Sequence, residues 1–549
     1  MEYKIYRENI SSQFIQIKLI LQCQRNERVE LQLPSWRPGR YELANYSQRV
    51  RYVKVVDNGQ VANITKATKD LWLFIPQQAG TYTIEYDYYA SQMDAGGSWS
   101  DDEQLYLNFI NFIFQVKGRE EEAIKVQLDL PLNYQIATAL PLTGAFVLEA
   151  KNFQHLVDSP LIASPTIKHH QYQIDHCTFH LWFQGNLYFD TEELKSYFIK
   201  FTEKQIAAFG DFPTNNYHFL FQLLNYKHYH GVEHQFSTVI TWGPAQELGT
   251  TAAMDQLIGI SSHELYHFWN VCRIRPKELL PYDFAKEAYI DSGVVAEGVT
   301  TYMGDLFLFK SGYLSLDAYL FKLEKLINRE FEQFGWKNMS IADSSFDLWL
   351  DGYKPGIPNR KVNIYNRGAL ISLCLDLILL DYGSSLSQIM KMMWNIFGKK
   401  NKGYSLHDFK GLISQALNDQ IVTEQFFQQY IYGKEDLLPL LKTQFKSLGI
   451  KLSEDKGNRL ESDFGLKLDD EASVQSVHPE SEAYKKIMIG DLVTGHEFSF
   501  NDKTELLHIT LTRRGRILTF QLPNTGNIYY KKYSLRLDRP CEKLERWKL

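Results

Sequence analysis

The spacing of apolar residues changes along the chain, and this change limits the folds that are open to it. Up to about residue 165, segments such as QFIQIKLILQ and TYTIEYDYYA alternate apolar and polar residues, which is the pattern of half-buried strands. From Thr251 to about residue 450, the apolar residues instead fall on one face of successive helices. After Gly449, short strand patterns with glycine turns return. The sequence therefore predicts a multidomain α+β protein that begins with a β-sandwich or saddle-shaped sheet.

These changes of pattern divide the chain into four expected domains. They are an N-terminal β domain (1–165), a mixed domain of strands and helices (166–312), a helical domain (313–450) and a small β-rich module (451–549). A length of 549 residues agrees with this division, since domains average about 150 residues.

Composition excludes several classes of partner. With 59 basic and 65 acidic residues, the net charge of −6 argues against binding to nucleic acid or to an anionic membrane. The longest apolar run, residues 369–380, is interrupted by Asp376 and is shorter than the roughly 18 residues of a membrane span. The N-terminal segment has no apolar signal-peptide core, and the five cysteines show neither metal-ligand spacing nor a disulfide framework. We therefore expect a cytoplasmic protein.

The segment His263-Glu264-Leu265-Tyr266-His267 has the H-E-x-x-H pattern of zinc peptidases. On a helix, positions i and i+4 share one face, so both imidazoles can reach one zinc ion. Glu264 would then lie beside the metal and could take a proton from water. The alternative is that these are two ordinary histidines on a core or surface helix.

A catalytic zinc usually keeps three protein ligands, and Glu297 is the best candidate for the third. It lies in the apolar segment VVAEGVTTY, where an uncompensated carboxylate would be costly. Pairing with Arg273 or Arg275 is the alternative role for this glutamate. The rival ligands Glu278 and Glu287 lie in a polar, loop-like stretch. Two residues that follow Glu297 on its helix, Thr301 and Asp305, are candidates for orienting the histidines.

The segments HELYHFWNVCRIRP and AEGVTTYMGDL resemble the glycyl aminopeptidase family of gluzincin metallopeptidases, which carry a C-terminal PDZ domain. The segments LPSWRPGRY, LVDSPLIASP, GVEHQFS and SSFDLWL are also similar to that family, so the resemblance covers nearly the whole chain. It implies a thermolysin-like catalytic domain at 166–312, one zinc ion, and a PDZ-like domain at 451–549.

The resemblance also implies residues that handle the substrate. GVEHQFS, which begins at Gly231, resembles the exopeptidase motif, in which an edge strand runs beside the peptide and a glutamate, here Glu233, binds the free amino group. Tyr365 resembles the tyrosine that donates to the oxyanion, although Arg367 stands where the family usually has lysine. Nearby Gly368 would permit close packing against the catalytic helices.

Two further features leave alternatives open. The histidines of the segment HYHGVEH (His228, His230 and His234) could form a second metal site, or they could simply line the cleft. In the C-terminal module, Phe464, Gly465 and Leu466 resemble the loop with which PDZ domains hold a peptide C-terminus. The module could capture such a peptide or only pack on the peptidase.

Together these features predict a zinc aminopeptidase that removes N-terminal residues from peptides, with a preference for glycine or alanine implied by the family. His263, His267 and Glu297 would hold the zinc, Glu264 would be the general base, and the free amino terminus would be recognised as described above. The alternatives are a catalytically silent PDZ scaffold and an endopeptidase of the same mechanism.

Overall fold

The computed structural model describes residues 1–57, 59–354, 356–501 and 504–549. The N-terminal part is built from strands and one short helix, α1 (Phe153–Val157). The strands are β1 (Glu2–Tyr6), β2 (Phe14–Cys23), β3 (Val29–Gln32), β4 (Val50–Asp57), β5 (Gln60–Ala62), β6 (Thr65–Lys66), β7 (Leu71–Phe74), β8 (Gly80–Tyr89), β9 (Trp99–Ser100), β10 (Leu105–Leu107), β11 (Gln115–Val116), β12 (Ile124–Leu128), β13 (Gln135–Thr138), β14 (Leu142–Gly144), β15 (Val147–Ala150) and β16 (Leu161–Ser164).

These strands form one large sheet and two smaller sheets. The large sheet has the order β14-β15-β12-β1-β2-β8-β4-β5, and the smaller sheets are β13-β16-β10-β9 and β11-β3-β7-β6. In β2, alternate side chains such as Ile17 and Leu19 are buried in a core that all three sheets share. The predicted N-terminal β domain is therefore confirmed, because the period-two pattern marks the face that each strand turns inward.

The following mixed region carries a five-stranded sheet with β20 at its edge. The order is β17-β18-β19-β21-β20, with β18, β19 and β21 parallel. The strands are β17 (Lys168–Ile174), β18 (Cys177–Gln184), β19 (Asn216–Leu223), β20 (His228–Glu233) and β21 (Ser237–Gly243). The helices are α2 (Thr191–Phe209), α3 (Thr251–Tyr266), a π-helix (Val294–Val299) and α4 (Thr300–Lys310).

The next segment is helical, as the sequence predicts. Its helices are α5 (Leu316–Phe331), α6 (Ile341–Phe346), α7 (Leu348–Asp351), α8 (Ile364–Asp381), α9 (Leu386–Ile396), α10 (Leu406–Leu417), α11 (Gln420–Phe426), a second π-helix (Phe427–Ile431) and α12 (Leu438–Ser447). One hydrophobic core runs from the five-stranded sheet through these helices. The predicted boundary at 312/313 therefore separates two patterns of secondary structure but not two cores.

The C-terminal module is inserted between two paired strands. Strands β22 (Ile450–Lys456) and β28 (Lys531–Leu537) run antiparallel and lead into and out of it. Between them lie α13 (Arg459–Phe464), β23 (Leu466–Leu468), β24 (Val474–Val477), β25 (Leu492–Asn501), β26 (Thr504–Arg513) and β27 (Arg516–Pro523), and the chain then continues to α14 (Glu542–Lys548).

The chain returns to the helical domain after this module. Trp547 of α14 is completely buried in the large core, where its indole Nε1–H donates to the Tyr302 hydroxyl at 3.0 Å. The structure thus differs from the predicted 451–549 unit, because β28 and α14 pack on the helical domain rather than on the module. Apolar residues such as Leu544 indicate a buried helix face, but the pattern cannot say which core receives it.

The loop predicted to hold a peptide carboxylate is part of the small core of this module. Phe464 and Leu466 are buried there, and the Gly465 N–H already donates to the Glu461 carbonyl at 3.1 Å. This geometry does not support carboxylate capture by that loop, because the N–H group of its glycine is engaged within the module.

Among the described residues, no single helix has the length and apolar content of a membrane span. The helices Ile364–Asp381 and Leu386–Lys400 meet the criterion only when taken together, and they bend by 98° at their junction.

Candidate active site

The two histidines of the H-E-x-x-H pattern lie at the C-terminal end of α3. The Thr250 side chain caps the start of this helix, and α3 ends at Tyr266 rather than continuing toward Pro276 as its pattern predicts. His267 takes the capping position and its backbone N–H still reaches the His263 carbonyl. The chain then turns away, so both imidazoles project from the last helical turn toward the same cavity.

Glu297 reaches that cavity from the π-helix Val294–Val299. π-Helical turns inside longer helices are frequent at functional sites, because the extra residue redirects a side chain. Gly298 lies against Gly368 of α8, and a Cβ on Gly298 would be 2.6 Å from the Gly368 Cα. The expected role of Gly368 in close packing is therefore confirmed, and the contact brings the start of α8 beside Glu297.

The three expected ligands form a compact group. The Nε2 atoms of His263 and His267 are 3.0 Å apart, and the Glu297 Oε2 lies 3.9 Å from the first and 3.5 Å from the second. Arg273 and Arg275 bind backbone carbonyl groups instead of Glu297, and neither Glu278 nor Glu287 belongs to a potential ligand group in the described residues.

Asn270 positions His267 and the helix that carries Glu297, a role that the sequence analysis did not predict. The His267 Nδ1 lies 2.6 Å from the Asn270 carbonyl oxygen, so it must donate a proton there, and the other ring nitrogen, Nε2, faces the cavity. The Asn270 side-chain amide donates to the Val295 carbonyl of the π-helix at 2.8 Å and to the Thr300 hydroxyl at 3.0 Å. This side chain therefore links the end of α3 to the helix that carries Glu297.

The candidates Thr301 and Asp305 do not take this role. Asp305 pairs with Lys322 at 2.8 Å, and the buried hydroxyl of Thr301 has no partner in the described residues. The asparagine after H-E-x-x-H was visible in the sequence, but only the turn of the chain after Tyr266 places it beside the π-helix.

The cavity has an excess of buried carboxylates. Burial raises the pKa of Glu264 to about 8; the His267 charge opposes this rise, while the carboxylates of Glu233 and Glu297 add to it. Burial likewise raises the pKa of Glu297 against the effect of His267. For His267, burial would lower the pKa, but the charge of Glu297 and the other carboxylates outweighs it and raises the pKa to about 10. The site therefore favours a bound cation.

Glu233 enters the same cavity from the edge strand β20. It is 6% exposed, its Oε1 has no hydrogen-bond partner among the described residues, and one of its oxygens lies within 4.8 Å of ligand atoms of Glu264 and His267. Gly39 of the N-terminal domain approaches it so closely that a Cβ there would be 2.3 Å from the Glu233 Oε2. The structure thus brings the predicted amine-binding glutamate to the metal group.

Gly231 lies on the same strand, where side chains would be excluded. A Cβ at this position would be 2.1 Å from the Glu264 Oε1. The strand edge therefore passes directly beside the predicted general base, as the exopeptidase motif implies.

Tyr365 is at the start of α8, near Glu297. Burial first, and then the Glu297 charge, raises the pKa of Tyr365 well above its usual value, so its hydroxyl keeps a proton to donate. The Tyr353 hydroxyl, which the sequence reasoning did not consider, lies 3.5 Å from that of Tyr365. Arg367 points elsewhere: its guanidinium contacts Glu330 at 2.8 Å and the Glu435 carbonyl at 2.7 Å. This arginine ties helices together and does not reach the metal group.

A small cavity adjoins Glu233. Its walls include Ile110, Val157 and Phe284 together with His234, and it offers about 10 Å³ of space. That space holds roughly one water molecule or one methyl group.

The three histidines around Gly231 do not form a second metal site in the part of the chain that the structure describes. His230 lies 3.4 Å from Arg37, and His234 lies 3.0 Å from Asp158. His228 has a buried Nε2 without a partner. These contacts are those of histidines that line a cleft.

The residues fit a zinc ion. Tetrahedral zinc with ligand bonds of about 2.0–2.1 Å separates its ligand atoms by about 3.3 Å, within the range spanned by the three distances between His263, His267 and Glu297. In the part of the chain that the structure describes, the buried Glu297 Oε2 has no hydrogen-bond partner, as expected for an atom that would bind a metal. Two imidazoles and one carboxylate are also a donor set that zinc enzymes use.

Comparisons with known proteins agree with this geometry. The N-terminal domain of peptidase family M61 matches residues 2–165, and the M61 glycyl aminopeptidase domain matches residues 256–371. Among curated proteins there is no match.

Solved structures share the fold. A crystal structure of an aminopeptidase N family protein from Idiomarina loihiensis has a TM-score of 0.89 at 24% identity, over 100% of both chains. An M1 zinc metallopeptidase mutant from Deinococcus radiodurans, bound to a tripeptide substrate, has a TM-score of 0.50 at 14% identity, over 79% of this chain and 94% of the other. The family matches, together with the cluster of histidines and carboxylates, show that the chain belongs to the M61 glycyl aminopeptidase family and is a metallo-aminopeptidase.

Proposed function

We propose that this protein is a zinc aminopeptidase that hydrolyses the first peptide bond of peptides with a free amino terminus and a small first residue. The observation that carries the proposal is the buried, unpartnered carboxylate of Glu233 beside Glu264 and His267. A buried carboxylate without a cation is costly, and the ammonium group of a peptide would supply the missing charge. Binding there fixes the register of the peptide, so that only its first bond reaches the metal group.

The preference for glycine or alanine is supported by the cavity beside Glu233. Because its space of about 10 Å³ accommodates roughly one methyl group, a larger side chain on the first residue would have to displace its walls.

The catalytic roles follow from the positions of the side chains. His263, His267 and Glu297 would hold zinc, which when bound supplies a Lewis acid that polarises the carbonyl and acidifies water. Glu264 would accept a proton from the attacking water and deliver it to the leaving amine. The charge of bound zinc would oppose the rise that burial causes in the pKa of Glu264, which favours the ionised carboxylate from which this exchange begins.

Two further groups would complete the reaction geometry. The Tyr365 hydroxyl would donate to the oxygen that becomes negatively charged, and loss of one such donor costs about 3–4 kcal/mol in the barrier. The strand edge at Gly231 would align the peptide backbone beside Glu264, because it leaves room for the main chain of the substrate.

Replacing Glu233 by alanine tests the proposal. We expect kcat/KM for glycyl and alanyl p-nitroanilides to fall about 10- to 150-fold, since a hydrogen bond to a charged group contributes about 1.5–3 kcal/mol. Zinc content should be unchanged, and the slow hydrolysis of N-acetylated counterparts should be nearly unaffected. A wild-type enzyme that cleaves blocked and free substrates equally well would instead be an endopeptidase.

The control is Glu247→Ala, which removes a carboxylate in the loop before α3 that belongs to neither potential ligand group. An equal loss on free and blocked substrates in Glu233→Ala would mean that Glu233 has a structural role or acts in the transition state. This equal loss, like equal cleavage of blocked and free substrates by the wild type, would refute recognition of the amino terminus by Glu233.

A further inference from the structure

Arg37 is a buried cation without a carboxylate partner. It is 5% exposed, its Nη1 donates to the Pro38 carbonyl at 3.0 Å, and its Nη2 lies 3.4 Å from the His230 Nε2. Within the described ranges, no carboxylate oxygen lies within the 4.0 Å of an ion pair. Buried charged groups are nearly always paired, so this guanidinium is prepared for an anion that the chain itself does not supply.

Arg37 lies beside β20, the edge strand along which the peptide would bind. His230 precedes Glu233 by three residues on β20, and Gly39, two residues after Arg37, contacts the Glu233 carboxylate. The charge of Arg37 also acts on Glu264. Arg37 and Glu233 also line the same small cavity, although His230 and Glu233 point to opposite faces of β20 because side chains alternate along a strand.

The guanidinium is held in place by neutral and backbone groups. The imidazole of His230 lies between Arg37 and Asp94, with its Nδ1 4.0 Å from the Asp94 Oδ1, too far for a hydrogen bond. Asp94 is itself engaged by the Gly96 N–H at 2.8 Å and by Gln92 at 2.6 Å. Gly96 packs on Arg37 so tightly that a Cβ would be 2.2 Å from the Arg37 Nε. These contacts orient Arg37 without neutralising it directly.

We propose that Arg37 forms a carboxylate-binding subsite for the free C-terminus of short peptides, so that the enzyme acts preferentially on free peptides over their C-terminal amides. This inference rests on the proposed function, because Glu233 must hold the other end of the substrate. Arginine has five N–H donors, of which the two contacts above use two, and its planar fork matches a carboxylate. A peptide that is bound at both ends is selected by its length as well as by its first residue.

The test compares triglycine with triglycine amide, which differ only in the C-terminal charge. We expect wild-type zinc enzyme to show a kcat/KM about 10- to 150-fold higher for the free acid, from the strength of a hydrogen bond to a charged group. In Arg37→Met the ratio of free acid to amide should fall close to one, and in Arg37→Lys it should be intermediate. The matched control is Arg40→Met, because Arg40 is in the same loop but pairs with Glu42 at 2.8 Å; its ratio should equal that of the wild type.

Each outcome decides between explanations. Equal rates on the acid and the amide in the wild type, or an equal loss on both in Arg37→Met, would overturn the subsite while leaving the aminopeptidase itself established. If neither substrate is cleaved by zinc-loaded enzyme, the proposed function fails instead. If Arg37→Met does not fold, the wild-type ratio and Arg37→Lys decide. If Arg37→Met loses activity selectively on glycyl-aspartyl-glycine amide, the carboxylate bound is a side chain and the C-terminal assignment is wrong.

Discussion

Replacing Gly368 by alanine should disable catalysis while leaving the metal ligands in place. A Cβ on Gly368 would lie 2.7 Å from the Gly298 Cα, a backbone atom that cannot rotate away. Because contacts shorter than about 3.4 Å are rarely tolerated by packed atoms, α8 would have to move by about 0.7 Å. That movement displaces Tyr365, which precedes Gly368 by one helical turn, from the position where it meets the substrate.

The expected loss is about 100-fold in kcat, because a misplacement of about 1 Å can cost that much in an oriented site. Activity on a glycyl amide, zinc per chain and thermal unfolding should be measured together, since the zinc ligands lie on other helices. Gly411→Ala is the matched control: it lies in α10, where a Cβ meets nothing within 4 Å, so alanine should be neutral or slightly stabilising.

Normal kcat in Gly368→Ala would refute the reasoning, because it would mean that the helix crossing does not position Tyr365. Loss of zinc together with activity would also contradict it, since the change would then act through Glu297. The reciprocal variant Gly298→Ala closes the same gap from the other helix, but it adjoins Glu297 and is therefore expected to lower zinc content as well.

Other changes give equally direct expectations. Glu264→Gln should retain zinc but lose turnover, since an amide cannot accept the proton; near-normal kcat in contamination-free protein would exclude it as the base. Glu297→Ala should lose zinc on dialysis whereas Glu278→Ala should not, and equal metal content in the two would reject the third ligand. Trp547→Ala should lower the free energy of unfolding by about 3–5 kcal/mol through lost burial and the lost hydrogen bond to Tyr302; an unchanged thermal midpoint would show that α14 is not part of the core.

The sequence predicts the metal ligands because their chemistry is local. His263 and His267 are one helical turn apart, and Glu297 is a carboxylate in an apolar segment, so residue type and spacing suffice. The spacing of residues does not predict the order of the strands or the π-helix that contains Glu297, because both depend on packing between distant segments.

The sequence analysis missed residues whose roles exist only in the folded protein. Arg37 and Gly39 lie about 190 residues before β20, in the family-like segment LPSWRPGRY, and the sequence does not show which distant residues this segment contacts. Asn270 was visible beside the motif, but its contacts depend on where α3 ends. The exclusion of a second metal site among the histidines likewise required the neighbours of each imidazole.

The contact between Trp547 and Tyr302 joins residues that are 245 positions apart, with the inserted module between them. Closing a loop over such a separation has an entropic cost, and folding slows as contacts become less local. We therefore expect the helix that continues from Glu297 to acquire this packing partner late in folding. During refolding, we expect peptidase activity to return later than helical structure, and simultaneous recovery of both would contradict this order. An enzyme that folds in this order would not hydrolyse peptides while it is still partly folded.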